Sequence, residues 1–192
     1  MMKFSFFACL FLSLLSYSQT KNEQEKRINQ SEFPKIAQNY FNFIADKTKY
    51  LKFYKETDAK KQSFEAKFKI NKLHYSIEFD TLGKLEDIEV LVKKRDISKK
   101  ALKQIDAYFS SNFKKCRIIK IQKQYINHST KNDQYYIAYI IENPNNKHTH
   151  FEIIAEIKTK QKHELREFTF NRDGKFEKSR LVTSSSYEHA LY

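Results

Sequence analysis

The best candidates for a metal site in this 192-residue sequence are two histidines and a glutamate. His148, His150 and Glu152 alternate along a strand-like segment, so their side chains would share one face. Alternating histidines can offer two imidazoles to a metal ion such as zinc. The sequence places no third strong ligand beside them, and the pair follows a turn rich in Asn and Lys. We therefore expect surface histidines here, with no metal site and no cofactor.

Three carboxylates form the only candidate for acid–base chemistry. Glu86, Asp87 and Glu89 follow a glycine turn, and paired carboxylates can act as acid and base when their surroundings separate their pKa values. Lys84 and Lys93 are close in sequence, so a solvated, charge-balanced strand end is the expected environment. The sequence shows no Cys/His pairing, phosphate loop or dinucleotide turn. We expect a protein that is not an enzyme.

The first 18 residues have the composition of a secretion signal. Lys3 precedes an apolar run from Phe4 to Leu15, and Ser16-Tyr17-Ser18 places small residues where a signal peptidase cleaves. The run is shorter than the roughly 20 apolar residues that a membrane-spanning helix needs. We expect residues 1–18 to be a signal peptide and the remaining chain to be periplasmic or secreted, not membrane-spanning.

The chain is strongly basic, with a formal net charge of +13. Such a charge can indicate a nucleic-acid partner. Lysines, however, far outnumber arginines and are scattered along the chain, whereas arginine is the residue suited to reading bases and phosphates. Export also separates the protein from nucleic acid. We expect no nucleic-acid partner, and we keep an anionic component of the cell envelope as an alternative partner.

A pattern that occurs twice predicts the fold. An amphipathic helix, at Phe33–Asp46 and again at Ser98–Phe113, precedes a run of alternating strands. Each run ends in a similar turn, Asp80–Lys84 and Asn171–Lys175, and each turn holds one of the two glycines of the chain. This predicts an α+β fold, a tandem repeat of a helix plus a four-stranded antiparallel sheet, with the helices covering one face of the sheet.

A hairpin in the first copy gives a more specific prediction. A two-residue turn at Asn71-Lys72 would pair Ile70 with Leu73 and, further from the turn, Phe64 with Phe79. In this register every apolar residue meets another on one face, and every polar residue, such as Glu65 opposite Glu78, meets another on the opposite face.

The second copy contains an insertion around residues 125–150. Within it, Tyr135–Ile141 is apolar on both faces, which predicts a strand that is buried on both sides or meets a partner. The predicted organisation is a signal peptide at 1–18, a polar leader at 19–30, a first repeat at 31–95, a second repeat with insertion at 96–182, and a polar tail at 183–192.

The helix faces, the hairpin and the two glycine turns together make residues 31–182 resemble the PepSY-like family. That family is similar to the tandem halves of the beta-lactamase inhibitor protein, each half a helical element on a four-stranded antiparallel sheet. The resemblance implies an exported protein without enzymatic activity that acts as a binding or inhibitory module. It supplies no defined binding motif that could be carried over to this sequence.

The sheet face opposite the helices is the predicted interaction surface. Tyrosines among lysines on such a face suit protein recognition, because Tyr offers contact area at low entropy cost. We expect an exported non-catalytic binding module that binds or inhibits an exported or envelope protein; the alternative is an envelope carrier or sensor of anions. The candidate partner-binding residues are Tyr54, Lys67, Lys69, His74 and Tyr136.

Overall fold

The structure, a computed structural model, describes residues 20–129, 132–159 and 162–183. The predicted signal peptide and the tail from residue 184 lie outside the described residues. No described helix has the length and apolarity needed to cross a membrane. The strands are β1 (Thr20–Lys21), β2 (Glu23–Ile28), β3 (Lys49–Asp58), β4 (Lys61–Ile70), β5 (Leu73–Phe79), β6 (Leu85–Leu91), β7 (Lys115–Tyr125), β8 (His150–Lys158), β9 (His163–Asn171) and β10 (Phe176–Val182). The α-helices are α1 (Lys35–Asn42), α2 (Lys99–Asn112) and α3 (Asp133–Glu142), and short 3-10 turns occur at Gln30–Glu32, Ala45–Lys47 and Lys94–Asp96.

All ten strands of the described residues belong to one sheet, in the order β1-β10-β9-β8-β7-β6-β5-β4-β3-β2. Neighbouring strands are antiparallel except for the parallel pair β1 and β10. The predicted tandem repeat of four-stranded sheets is therefore wrong. Strand β6 does not end a first sheet but pairs with β7, Ile88 opposite Tyr125 and Leu91 opposite Gln122. The physical reason is that an edge strand leaves a row of unpaired backbone groups, and pairing β6 with β7 satisfies both edges at once.

The hairpin register predicted from the sequence is confirmed. Ile70 pairs with Leu73 and Phe64 with Phe79, joined by a turn in which Asn71 and Lys72 both have positive φ. Ser98 caps α2 by accepting a hydrogen bond from the backbone N–H of Ala101 at 3.2 Å. Local patterns were therefore sufficient to predict local pairings.

The hydrophobic core lies between the helices and one face of the sheet. Helices α1 and α3 bury Phe41, Ile137 and Ile140 against the apolar side chains of β3 to β6. Helix α2 buries Ile105 and Phe109 against β7 to β9. The aromatic rings pack edge to face, as in Phe109 against Phe168 with ring centroids 4.9 Å apart.

The insertion contains a helix where a strand was predicted at Tyr135–Ile141. Helix α3 begins after Asn132, whose side chain accepts a hydrogen bond from the backbone N–H of Tyr135 at 2.8 Å. Ile137 and Ile140 are buried and Tyr139 is exposed, which is the spacing of a helix packed on one side. The apolar composition concealed this period because the exposed positions are tyrosines.

Residues 20–28, within the predicted polar leader at 19–30, close the sheet. Strands β1 and β2 are separated by Asn22 alone, yet β1 pairs with β10 and β2 pairs with β3 at the opposite end of the strand order. The sheet must therefore curl until its two edges meet at this N-terminal strap (residues 20–28). Arg180 of β10 confirms the closure, because its Nη1 lies 3.1 Å from Asp58 Oδ2 on β3.

Candidate functional site

The face of the sheet opposite the helices lies inside this curl, and we call it the polar face. Its side chains alternate along each strand with those of the hydrophobic core. Side chains from opposite edges meet there, as Arg180 and Asp58 do, so the face is enclosed rather than open. Eight of its polar residues are less than one-tenth exposed: Glu56, Ser63, Glu65, Ser76, Glu89, Gln122, Glu167 and Thr169.

Three carboxylates converge at the strap end of this face. An oxygen of each of Glu25, Glu56 and Glu65 lies within 4.8 Å of the other two, an arrangement of oxygen ligands that hard cations favour. The ammonium of Lys67, however, lies 2.7 Å from Glu25 Oε1 and 2.9 Å from Glu65 Oε2. Ser63 donates a hydrogen bond to Glu56 at 3.3 Å. The chain thus supplies its own cation here.

The charges in this group control one another's protonation. Burial, followed by the charge of Glu65, raises the pKa of Glu56 far above its usual range. Burial alone would lower the pKa of Lys67, but the charges of Glu65 and Glu25 outweigh it and raise that pKa. Lys67 therefore stays charged while Glu56 stays protonated, so fewer negative charges surround the ammonium than the three carboxyl groups would give if all were ionised.

A second group surrounds the buried carboxylate of Glu167. Lys21 of the strap lies 2.7 Å from Glu167 Oε2, and Arg180 lies 2.6 Å from Glu167 Oε1. Burial would raise the pKa of Glu167, but the charges of Lys21 and Arg180 outweigh it and lower that pKa to about 2. Two cations therefore hold this carboxylate ionised.

Between these groups lie four carboxylates that we call the central carboxylates: Glu78, Asp87, Glu89 and Glu152. Gln122 donates a hydrogen bond to Glu89, and Gln124 donates to Asp87 at 2.8 Å and to Glu152 at 3.1 Å. Within the described part of the chain, none of the four makes an ion pair. The Oδ1 atom of Asp87 is buried and accepts no hydrogen bond.

The central carboxylates are hard to ionise because they are buried close to one another. Burial, followed by the charge of Glu152, raises the pKa of Asp87 to about 7. Burial and the charges of neighbouring carboxylates also raise the pKa values of Glu78, Glu89 and Glu152. Shifted carboxyl groups of this kind are a common sign of a functional site.

The structure brings together four of the five predicted partner-binding residues. Lys67, Lys69 and His74 lie on β4 and β5 of the polar face, with Lys69 opposite His74 in the register. The Lys67 ammonium lies 5.1 Å from the ring centroid of Tyr54, a cation–π contact. Tyr136 does not join them, because it lies on α3 against the hydrophobic core and donates a hydrogen bond to the Ile126 carbonyl at 3.1 Å.

The two candidate metal-binding histidines contact different neighbours. His148 packs on Phe151 with ring centroids 4.2 Å apart, and burial, followed by the charge of Lys123, lowers its pKa to about 4. His150 lies 3.0 Å from Gln124 Oε1 through its Nδ1 and 3.3 Å from Glu177 through its Nε2. The described geometry therefore does not direct the two imidazoles at one point.

The central carboxylates were missed as a site at the sequence level. Glu78 was placed correctly on the polar face, but Asp87 and Glu89 were expected at a solvated strand end. Glu89 is in fact only 8% exposed. Alternating carboxylates look the same in the sequence whether the face is solvated or enclosed. The enclosure depends on the strap, whose pairing partners are distant in the sequence.

Comparisons with known proteins give a likeness of fold. No family model and no curated protein matches the sequence. Two solved DUF2874 family proteins match the structure, each with a TM-score of 0.51. The protein from Bacteroides ovatus is 10% identical, and the match covers 77% of this chain and 86% of that chain. The protein from Bacteroides uniformis is 9% identical, and the match covers 78% of this chain and 89% of that chain. A protein from Bacteroides eggerthii, provisionally described as periplasmic, matches with a TM-score of 0.51 and 8% identity over 83% of this chain and 97% of its own. At these identities the likeness concerns the fold alone.

Proposed function

We propose that this chain is an exported binding protein without catalytic activity, and that the polar face of the curled sheet is its ligand face. In this proposal the central carboxylates receive a basic group of a protein partner. The observation that carries the proposal is the absence of an ion-pair partner for these four carboxylates within the described residues, beside two groups that have cations of their own.

Among the described residues, the central carboxylates have no cation within ion-pair distance. A buried carboxylate without a counter-charge costs free energy, and the cost is reduced when it is paired or protonated. Glu78, Asp87 and Glu152 are partly exposed, and in this proposal a lysine or arginine side chain reaches them from that exposed side. The planar fork of an arginine would suit paired carboxylate oxygens in particular. Binding would then replace bound protons with a permanent positive charge.

Two further observations support an exported binding role. The N-terminal sequence has the pattern of a secretion signal, and a solved protein of similar fold is provisionally described as periplasmic. The PepSY-like resemblance, which stays a prediction, implies binding or inhibitory modules. The four predicted residues that share the polar face, including Tyr54 and Lys67, stay candidates for contacts with other parts of the partner, because lysines do not attract a basic group.

The test compares affinity capture by three forms of the full chain from an envelope extract of the native organism. Asp87→Asn/Glu152→Gln replaces two central carboxyl groups by amides, and the helix variant, Asp46→Asn/Glu142→Gln, makes the same replacements at exposed positions of the 3-10 turn Ala45–Lys47 and of α3. Because the neutral amides resemble protonated carboxyls, the site variant should keep the fold, which circular dichroism checks. We expect one dominant protein retained at high salt by the wild type and the helix variant, and lost by the site variant.

Two outcomes would overturn the proposal. Equal retention of the same protein by the folded site variant would show that the central carboxylates do not contribute to binding. A broad set of anionic molecules, lost from all three forms at high salt, would instead favour the charge-driven anion carrier, because screening weakens exposed charge contacts.

A further inference from the structure

A cleft of about 390 Å³ lies on the helical side of the sheet, away from the central carboxylates. It is bounded by the C-terminal end of α2, the first residues of β7 and the 3-10 turn Lys94–Asp96. This volume is within the range of small-molecule sites. The cleft shares no lining residue with the polar face groups.

The lining combines an apolar floor with a basic rim. Phe109, Phe113 and Ile118 form the apolar part, and Phe109 belongs to the buried core. Lys94 and the adjacent pair Lys114 and Lys115 are exposed at the rim. An apolar surface next to several ammonium groups complements a molecule that has an anionic head and an apolar body.

Two negative features of the cleft oppose an anion, and each is partly offset. Asp106 contributes one negative charge and is 3.4 Å from Lys94, so the three lysines leave a net charge of +2 (3 − 1). The α2 C-terminus also presents carbonyl oxygens, which favour cations. The Tyr108 carbonyl, however, accepts from the Asn112 side chain at 2.8 Å, and the Phe109 carbonyl accepts from the Phe113 N–H at 3.0 Å.

We infer that this cleft binds an amphiphilic anion, with a carboxylate or phosphate head among Lys94, Lys114 and Lys115 and an alkyl chain on the apolar floor. The cleft is separate from the central carboxylates, so the inference stands or falls independently of the proposed function. A second ligand of this kind would explain a basic exterior on a protein whose enclosed face is acidic.

Cys116 provides a reporter within the cleft. Its thiol is half-buried among the lining residues, and burial, only partly offset by the charge of Lys94, raises its pKa. The thiol therefore stays protonated near neutral pH and is not an activated nucleophile. A ligand seated on the apolar floor would shield it from a thiol reagent.

The experiment measures the rate at which a small disulfide reagent modifies Cys116 in the full chain, in a Cys9→Ser background. The probes are octanoate and octyl phosphate, with octanol and acetate as the neutral and the short-chain controls. We expect octanoate and octyl phosphate to slow the reaction in a saturable manner, and octanol and acetate to have much less effect. Stronger protection by one of the two acids would identify the preferred head group.

Lysine variants test the basic rim. Lys94→Ala/Lys114→Ala should weaken the protection by roughly two- to fivefold per lysine removed, as for exposed charge pairs. Lys60→Ala/Lys147→Ala removes the same charge at exposed positions outside the cleft and should leave the protection unchanged. Equal protection by octanol, an equal loss in both variants, or no protection by either acid would overturn the inference.

Discussion

Single residues show how closely the elements of this fold approach one another. Gly83 and Gly174 occupy matching turns and have the same φ of +83°, a conformation that favours glycine. Their surroundings differ, however. A Cβ on Gly174 would lie 2.3 Å from the Ala101 carbonyl oxygen in the first turn of α2, whereas a Cβ on Gly83 would lie 3.0 Å from the Pro34 side chain. The second turn therefore packs directly against helix backbone.

This difference predicts unequal costs for the same substitution. Gly83→Ala should lower the free energy of unfolding by about 1–2 kcal/mol through backbone strain. Gly174→Ala should lower it by roughly 2–5 kcal/mol, because the helix backbone must also move. Urea unfolding of both variants measures this directly. A Gly174→Ala variant as stable as Gly83→Ala would contradict the close packing of this turn on α2.

The central carboxylates predict how stability depends on pH. Asp87 has a pKa of about 7 in the folded chain, because of burial and the charge of Glu152, against roughly 4 for an unfolded Asp. The folded state therefore binds more protons than the unfolded state in this interval. The contribution of the Asp87 carboxyl to the free energy of unfolding is fully present below about pH 4 and is lost as the pH rises through about 7. Glu78, Glu89 and Glu152 have raised pKa values and act in the same direction.

The measurement is the free energy of unfolding of wild type and Asp87→Asn at a series of pH values between about 4 and 8. The free energy of unfolding of the wild type should fall across this interval, and that of Asp87→Asn should fall less. Glu86, Lys61 and the Gln124 amide also face Asp87, and they are present in both proteins. Equal slopes for the two proteins would show that Asp87 does not titrate in this range.

The N-terminal strap is short, but it joins the two edges of the whole sheet. Its parallel pair with β10 spans two residues, so side-chain contacts must contribute to the closure. Lys21 supplies such a contact through its ion pair with Glu167, whose side chain is 3% exposed. Without Lys21, this carboxylate would keep Arg180 but lose one of two cations.

We expect Lys21→Met to lower the free energy of unfolding by roughly 1–3 kcal/mol, less than for a pair left without any counter-charge because Arg180 remains. Lys26→Met, which removes an exposed lysine of the same strap, should change it by no more than about 0.5 kcal/mol. Denaturant titration of the two variants makes the comparison. Similar small effects would indicate that the ion pair does not stabilise the closure.

The elements also show which parts of the fold could be predicted from the sequence. The hairpin of β4 and β5 was predictable in register because a strict period of two and a two-residue turn act over adjacent residues. Helix α3 was not predictable from the sequence, because tyrosines at its exposed positions hid the helical period. The pairing of the strap was not predictable either, because polar residues occur on both of its faces and its partners β3 and β10 lie far along the chain.

Folding separates the acidic from the basic side chains of this chain. A chain with a net charge of +13 encloses an acidic face, so its outer surface is more basic than its composition alone suggests. The sequence predicted which residues alternate onto this face, as Glu65, Lys67 and Glu78 do. It could not predict that the face is enclosed, because burial there follows from the curl of the complete sheet.

Carboxyl footprinting tests whether the polar face of the sheet receives the protein partner. A carbodiimide and an amine label exposed carboxylates in the free chain and in the chain bound to its captured protein partner, and mass spectrometry locates the labels. We predict that binding lowers the labelling of Glu78, Asp87 and Glu152, while Asp106 and Glu142 on the helices stay unchanged. Unchanged labelling of the three central residues in the complex, with protection of the helix positions instead, would contradict the polar face as the ligand face.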